Sequence, residues 1–175
     1  MAEVEAKMAS FNGLINSHAM EPVDFHLAQV NIAHLIEPMD SERLSIFVAA
    51  LDPVNATADA APGFVWRLKT EEGNATSLKA FEWDLDGSAG VITNMSVWES
   101  FEALKDFVYS PRHLEVLRQN RNWFHKAAGA TTALWWIPAG YVPTLEDAES
   151  RIRTIRVHGP TLEAFDFSKK FSPTN

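Results

Sequence analysis

Amide, hydroxyl and indole side chains recur at every second position in two stretches, as Gln29 and Asn31 in FHLAQVNIA and as Asn94, Ser96 and Trp98 in VITNMSVW. A spacing of two puts each set on one face of an extended strand. A few polar groups in an otherwise apolar concavity make a small-molecule site. The same residues would also suit a dimer interface whose buried amides are satisfied by backbone, and spacing does not choose between the two. Trp66 and Trp135 fall in other expected strands and would close such a concavity. Tyr109 and His113 flank Ser110-Pro111, and either could accept a proton from a phenolic ligand. His125 is a less convenient third.

Other chemistries find little support. The six histidines show neither an i, i+4 pair nor a His-Glu-x-x-His run, so no metal site is expected. His26 beside Asp24 is a weak pair, His18 lies in the N-terminal arm, and His158 suits a helix end. The chain has no cysteine, which removes thiolate catalysis and disulfides. No glycine-rich phosphate loop and no Gly-x-Ser-x-Gly elbow is present. A net charge of −8, from 15 basic and 23 acidic residues, repels nucleic acid and anionic membrane surfaces. No apolar run reaches membrane-spanning or signal-peptide length, so the cytoplasm is the expected compartment. The Asn-x-Ser/Thr triplets at Asn55, Asn74 and Asn94 carry no meaning there.

These side chains need elements to hold them. Phe25 to Ala33 reads as a strand, and Asp40-Ser41 cap a helix with Leu44, Phe47, Val48 and Leu51 on one face that stops near Asp52-Pro53. Strands come next from Phe64 to Leu68 and, after a turn at Glu72-Gly73-Asn74, from Gly90 to Trp98. Two helical pieces divide at Ser110-Pro111, one carrying Phe101, Leu104 and Phe107, the other Leu114, Leu117 and Phe124. Thr131 to Ile137 is the fourth strand. Thr144 and Asp147 then cap a helix with Leu145, Ala148, Ile152 and Ile155 on one side, ending at Gly159-Pro160.

The order β-α-β-β-α-β-α predicts an α+β, ferredoxin-like split βαβ sheet with an added C-terminal helix. Residues 1–22 read as an N-terminal arm, 23–165 as the domain and 166–175 as a polar tail. Ala28, Val30 and Ile32 form an aliphatic face on the first strand, which should meet the helices. The mixed face is then left bare, and pairing two such sheets in a homodimer would cover it as a dimeric α/β-barrel.

The run NMSVWESFEALKDFVYSPRHLEVLRQNRNWF, preceded by HLAQVNIA and followed by ALWWIPAGYVPTLEDAESRIRTIRVHGPT, resembles domain-of-unknown-function family 3291 over residues 25–167. That family is similar to the dimeric α/β-barrel group of antibiotic-biosynthesis monooxygenases. The resemblance implies that Asn31, Asn94 and Trp98, the last two spaced by four, match residues implicated in cofactor-independent oxygenation. Heme-degrading members of the group carry an axial His nineteen residues after the Trp, where this chain has Leu117 and only His113 one turn earlier. Heme is therefore disfavoured, and no cofactor is expected. The activity this implies is that of an enzyme acting on an apolar or aromatic, polyketide-like small molecule, for which His113 at the Pro111 bend is a candidate catalytic residue on the residues alone. A cyclase or isomerase, or a ligand-binding homodimer without turnover, are the other readings.

Overall fold

The computed structural model describes residues 24–71, 73 and 75–174. The N-terminal arm over 1–22, with His18, and the triplet at Asn74 lie outside the described residues, as do two of the three residues of the turn at 72–74. The side chains of Val116, Leu117 and Asn120 lie outside them too.

Four strands, β1 (Phe25–His34), β2 (Phe64–Arg67), β3 (Val91–Trp98) and β4 (Thr132–Pro138), form one sheet in the order β2-β3-β1-β4. Each neighbouring pair is antiparallel. Helices α1 (Ser45–Asp59), α2 (Phe101–Val108) and α3 (Pro111–Gln119) lie in the two crossovers, and α4 (Leu145–His158) follows the last strand. The architecture is α+β and ferredoxin-like, with an added C-terminal helix.

Local chemistry sets the boundaries. Ser100 caps α2 by accepting from the Ala103 N–H, and Thr144 with Asp147 closes a reciprocal capping box on α4. Helix α1 does not stop at Pro53 as expected but continues to Asp59. Pro53 is exposed, and helix on either side of it is anchored by buried Phe47 and Ala58. That packing offsets the missing N–H bond, which alone costs about 3 kcal/mol.

The alternation of β1 and β3 survives, but helices lie on both faces, and the crossover helices cover the mixed face rather than the aliphatic one. Ala28, Val30, Ile32, Met95 and Val97 are buried under Ala148, Ile152 and Ile155 of α4, with Ala80 and Phe81 beside them. The mixed face lies under the crossover helices, where Leu27, Trp98 and Leu134 pack on Phe101 and Leu104 of α2. Both crossovers deliver their helices to one side of a split βαβ sheet, and α4, joined after β4, is free to take the other. The bare face from which sheet-to-sheet pairing was inferred is therefore filled within the chain.

The segment expected as a polar tail, 166–175, carries Phe167 and Phe171, which pack on the cluster that holds Leu134 and Phe165. Phe165 exchanges backbone hydrogen bonds with Leu134 at 2.7 and 2.9 Å. The Trp136 Nε1–H donates to the Phe171 carbonyl at 2.7 Å. Among the described residues, no helix is long and apolar enough to cross a membrane.

Candidate functional site

Between the mixed sheet face and helices α1 to α3 lies a cavity in two lobes. One, of about 260 Å³, reaches from Gln29, Ser96 and Trp98 to Leu104 and Phe107. The other, of about 140 Å³, reaches towards Phe47, Leu51 and Phe124. The lobes share Asn31, Val54, Asn55, Arg67, Asn94 and His113. All but Val54 are polar, so the junction is a polar girdle between apolar ends.

Cross-strand register builds the sheet side. Asn31 stands opposite Asn94, Gln29 opposite Ser96, and Leu27 opposite Trp98. The Trp98 Nε1–H donates to Ser96 Oγ at 2.8 Å, and Gln29 Nε2 donates to both Ser96 Oγ, at 3.1 Å, and Asn94 Oδ1, at 3.3 Å. Asn94 thus spends its carbonyl on Gln29 and keeps its Nδ2 donors for the cavity. Asn31 is oriented the other way. Its Nδ2 donates to Thr132 Oγ1 at 2.9 Å, which leaves Oδ1 as its free group. Two amides expected to act alike present one donor and one acceptor.

His113, from the first turn of α3, lines the same girdle. Its Nδ1–H donates to the Val108 carbonyl at 2.9 Å, so Nε2 carries the lone pair and has no protein partner among the described residues. Burial pushes its pKa below the ordinary value of 6.5, against a smaller opposite effect of the Val108 bond. The ring is a neutral base at pH 7, held at 5.0 Å from the Phe107 ring.

Gln29, Asn31, Asn94, Ser96, Trp98 and His113 are brought together, whereas three other expected residues are not. Trp135 is buried under α4 on the far face, and Trp66 packs on that same cluster. Tyr109 is 54% exposed and lies edge-on to Phe167, outside the cavity lining. Trp98 is wholly buried, stacked on Phe107 at 5.1 Å and edge-on to Phe64 at 5.4 Å. It is a core residue that also walls the deeper lobe.

Sequence reasoning missed Arg67, Asn55 and Thr132. A register shift between Phe64 and Trp66 breaks the alternation of β2 and turns Arg67 onto the cavity face. Asn55 lies on the helical turn beyond Pro53, where no helix was expected. Among the described residues, no group of three or more His, Asp or Glu is placed to hold a metal ion.

No curated protein matches the chain. Among solved structures it is similar to SnoaB, a cofactor-independent oxygenase from Streptomyces nogalater, at 14% identity and TM-score 0.40, covering 67% of this chain and 95% of that one. It is similar to Rv0793 from Mycobacterium tuberculosis, at 15% identity and TM-score 0.42, with 68% and 99% covered. A conserved protein from Methanosarcina mazei Go1 aligns at 10% identity and TM-score 0.45, over 66% and 93%. Residues 26–175 match the model of the domain of unknown function DUF3291, and the chain belongs to that family.

Proposed function

We propose that the chain is an enzyme that takes a proton from a small, largely apolar phenol or enol and oxygenates it without a metal or organic cofactor. The observation that carries this reading is the girdle, where His113, Asn94 and Asn31 line one cavity with apolar ends, and His113 Nε2, Asn94 Nδ2 and Asn31 Oδ1 have no partner among the described residues. His113 accepts the substrate proton. Asn31 Oδ1 orients the hydroxyl, and Asn94 Nδ2 stabilises the oxyanion that forms. The electron-rich anion reduces O2, the two radicals join as a peroxide at carbon, and the proton returns from His113. Loss of water leaves a carbonyl, with one oxygen atom in the product and the other in water.

A ligand-binding protein without turnover is the second reading. It is favoured by the Trp98–Ser96–Gln29–Asn94 hydrogen-bond chain, in which protein groups engage Ser96 Oγ, Gln29 Nε2 and Asn94 Oδ1 with one another. The proposal keeps the homodimer implied by the family resemblance, with the contact on the outer surface because both sheet faces are covered. It also keeps the cytoplasm as compartment. Sedimentation at micromolar concentration reads the dimer, and a monomer would remove it.

Oxygen uptake with an anthrone-type phenol separates the readings. Enzyme-dependent uptake lost in His113→Ala supports oxygenation. Solvent deuterium exchange into the probe without oxygen uptake points instead to an isomerase or cyclase. Binding with neither leaves the non-catalytic reading.

A further inference from the structure

Arg67 is the one permanently charged side chain among the described residues lining either lobe, and no Asp or Glu lines them. It stands opposite Ser96 on the neighbouring strand, beside the amide row. Its Nε and Nη2 donate to the two carboxylate oxygens of Asp59 at 2.7 and 3.2 Å, and its Nη1 donates to the Gly73 carbonyl at 2.7 Å. A guanidinium has five N–H donors in a fixed plane. These bonds leave one hydrogen on each Nη unshared among the described residues, charge-assisted donors for an anionic ligand.

The guanidinium is well covered, with its side chain 13% exposed, whereas Asp59 on the outer side is 43% exposed. Asp59 therefore meets water on the outer side, and what Arg67 offers the cavity is its remaining N–H donors. Tied at three donors, Arg67 loses little further freedom when a ligand arrives.

We propose that Arg67 makes this cavity selective for apolar molecules that carry a carboxylate, which accepts from its unshared Nη hydrogens beside Asn94. This deepens the reading above and rests on its claim that the cavity is the ligand site. The apolar body lies in the lobe lined by Leu104 and Phe107 or in that lined by Phe47 and Leu51. The carboxylate sits at the girdle, away from the His113 lone pair, which would repel it.

Calorimetry on the full chain with 1-naphthoate and its uncharged methyl ester tests this. The native protein is expected to bind 1-naphthoate about tenfold or more tightly than the ester, the usual gain for a charge-assisted hydrogen bond. Arg67→Met should abolish that preference while leaving ester affinity within about twofold. Where Arg67→Met lowers Tm sharply, Arg67→Gln, which keeps a donor for Gly73, serves in its place with the same expectation. Equal affinities in the native protein, or a preference that survives in a folded Arg67 variant, would overturn the carboxylate assignment and leave the cavity reading standing. No binding of either compound at millimolar concentration would overturn both.

Discussion

At the scale of single residues, the hydrogen bonds assign different tasks to side chains of the same type. Asn94 offers a donor where charge develops, so Asn94→Ala should lower turnover about 10²-fold with KM little changed. Asn31 offers an acceptor to the ground-state hydroxyl, so Asn31→Ala should act mainly on KM, and steady-state kinetics on the two variants separates them. His113 predicts the pH profile. Because burial lowers its folded pKa from 6.5, it stays an available base as pH falls below that value, and the acid limb of kcat/KM should have its midpoint under 6.5. The same shift means that the unfolded chain takes up this proton first, so its stability contribution declines as pH drops below 6.5. A midpoint at or above 6.5, or a limb retained in His113→Gln, would remove His113 as the base. Trp98 belongs with the core. Its indole is fully buried and bonded to Ser96, so Trp98→Phe should cost about 1–3 kcal/mol in chemical denaturation, through a smaller ring and the loss of one of the two bonds to the Ser96 hydroxyl.

At the scale of elements, Gly63 fixes how α2 meets β2. Its φ is +75°, and a Cβ there would stand 2.6 Å from the Ala103 Cβ. Gly63→Ala therefore combines left-handed strain with a backbone-held clash and should lower stability by about 2 kcal/mol or more, read from the denaturation midpoint. Much at this scale was legible in the sequence. Strict alternation in β1 and β3 gave the shared face of Gln29, Asn31, Asn94, Ser96 and Trp98, and the cap signal at Thr144 began a helix where expected. Alternation labels faces without saying what packs on them. Ala28 and Val30 fit α4 as well as they fit a crossover helix, so the covering layer was assigned to the wrong side. The bulge in β2 hid Arg67 and made Trp66 look like a cavity residue. Trp135 was misplaced for a simpler reason, because adjacent Trp135 and Trp136 point to opposite faces and aromatic content alone does not rank them.

At the scale of the whole molecule, helices lie over both faces of one sheet, and the two-lobed cavity lies on the polar face. The far side is tied by Asp84, whose carboxylate takes two bonds from Arg156 at 2.6 and 2.8 Å and one from His34 at 3.0 Å. The Arg156 hydrogen bonds, more than the charges nearby, hold its pKa below 3.8. Stability from this group is present above the ordinary carboxylate range and is lost as pH falls through the lowered value. Asp84→Asn should accordingly flatten the acid arm of a stability–pH curve while costing roughly 3 kcal/mol at neutral pH. The central claim is that ligands enter between the polar sheet face and α1 to α3. Side-chain NMR during titration with 1-naphthol tests it most directly. We expect the amide signals of Gln29, Asn31 and Asn94 and the imidazole of His113 to shift together, with the indoles of Trp66 and Trp135 unmoved. Shifts confined to those two indoles, or no shift at millimolar naphthol, would contradict it.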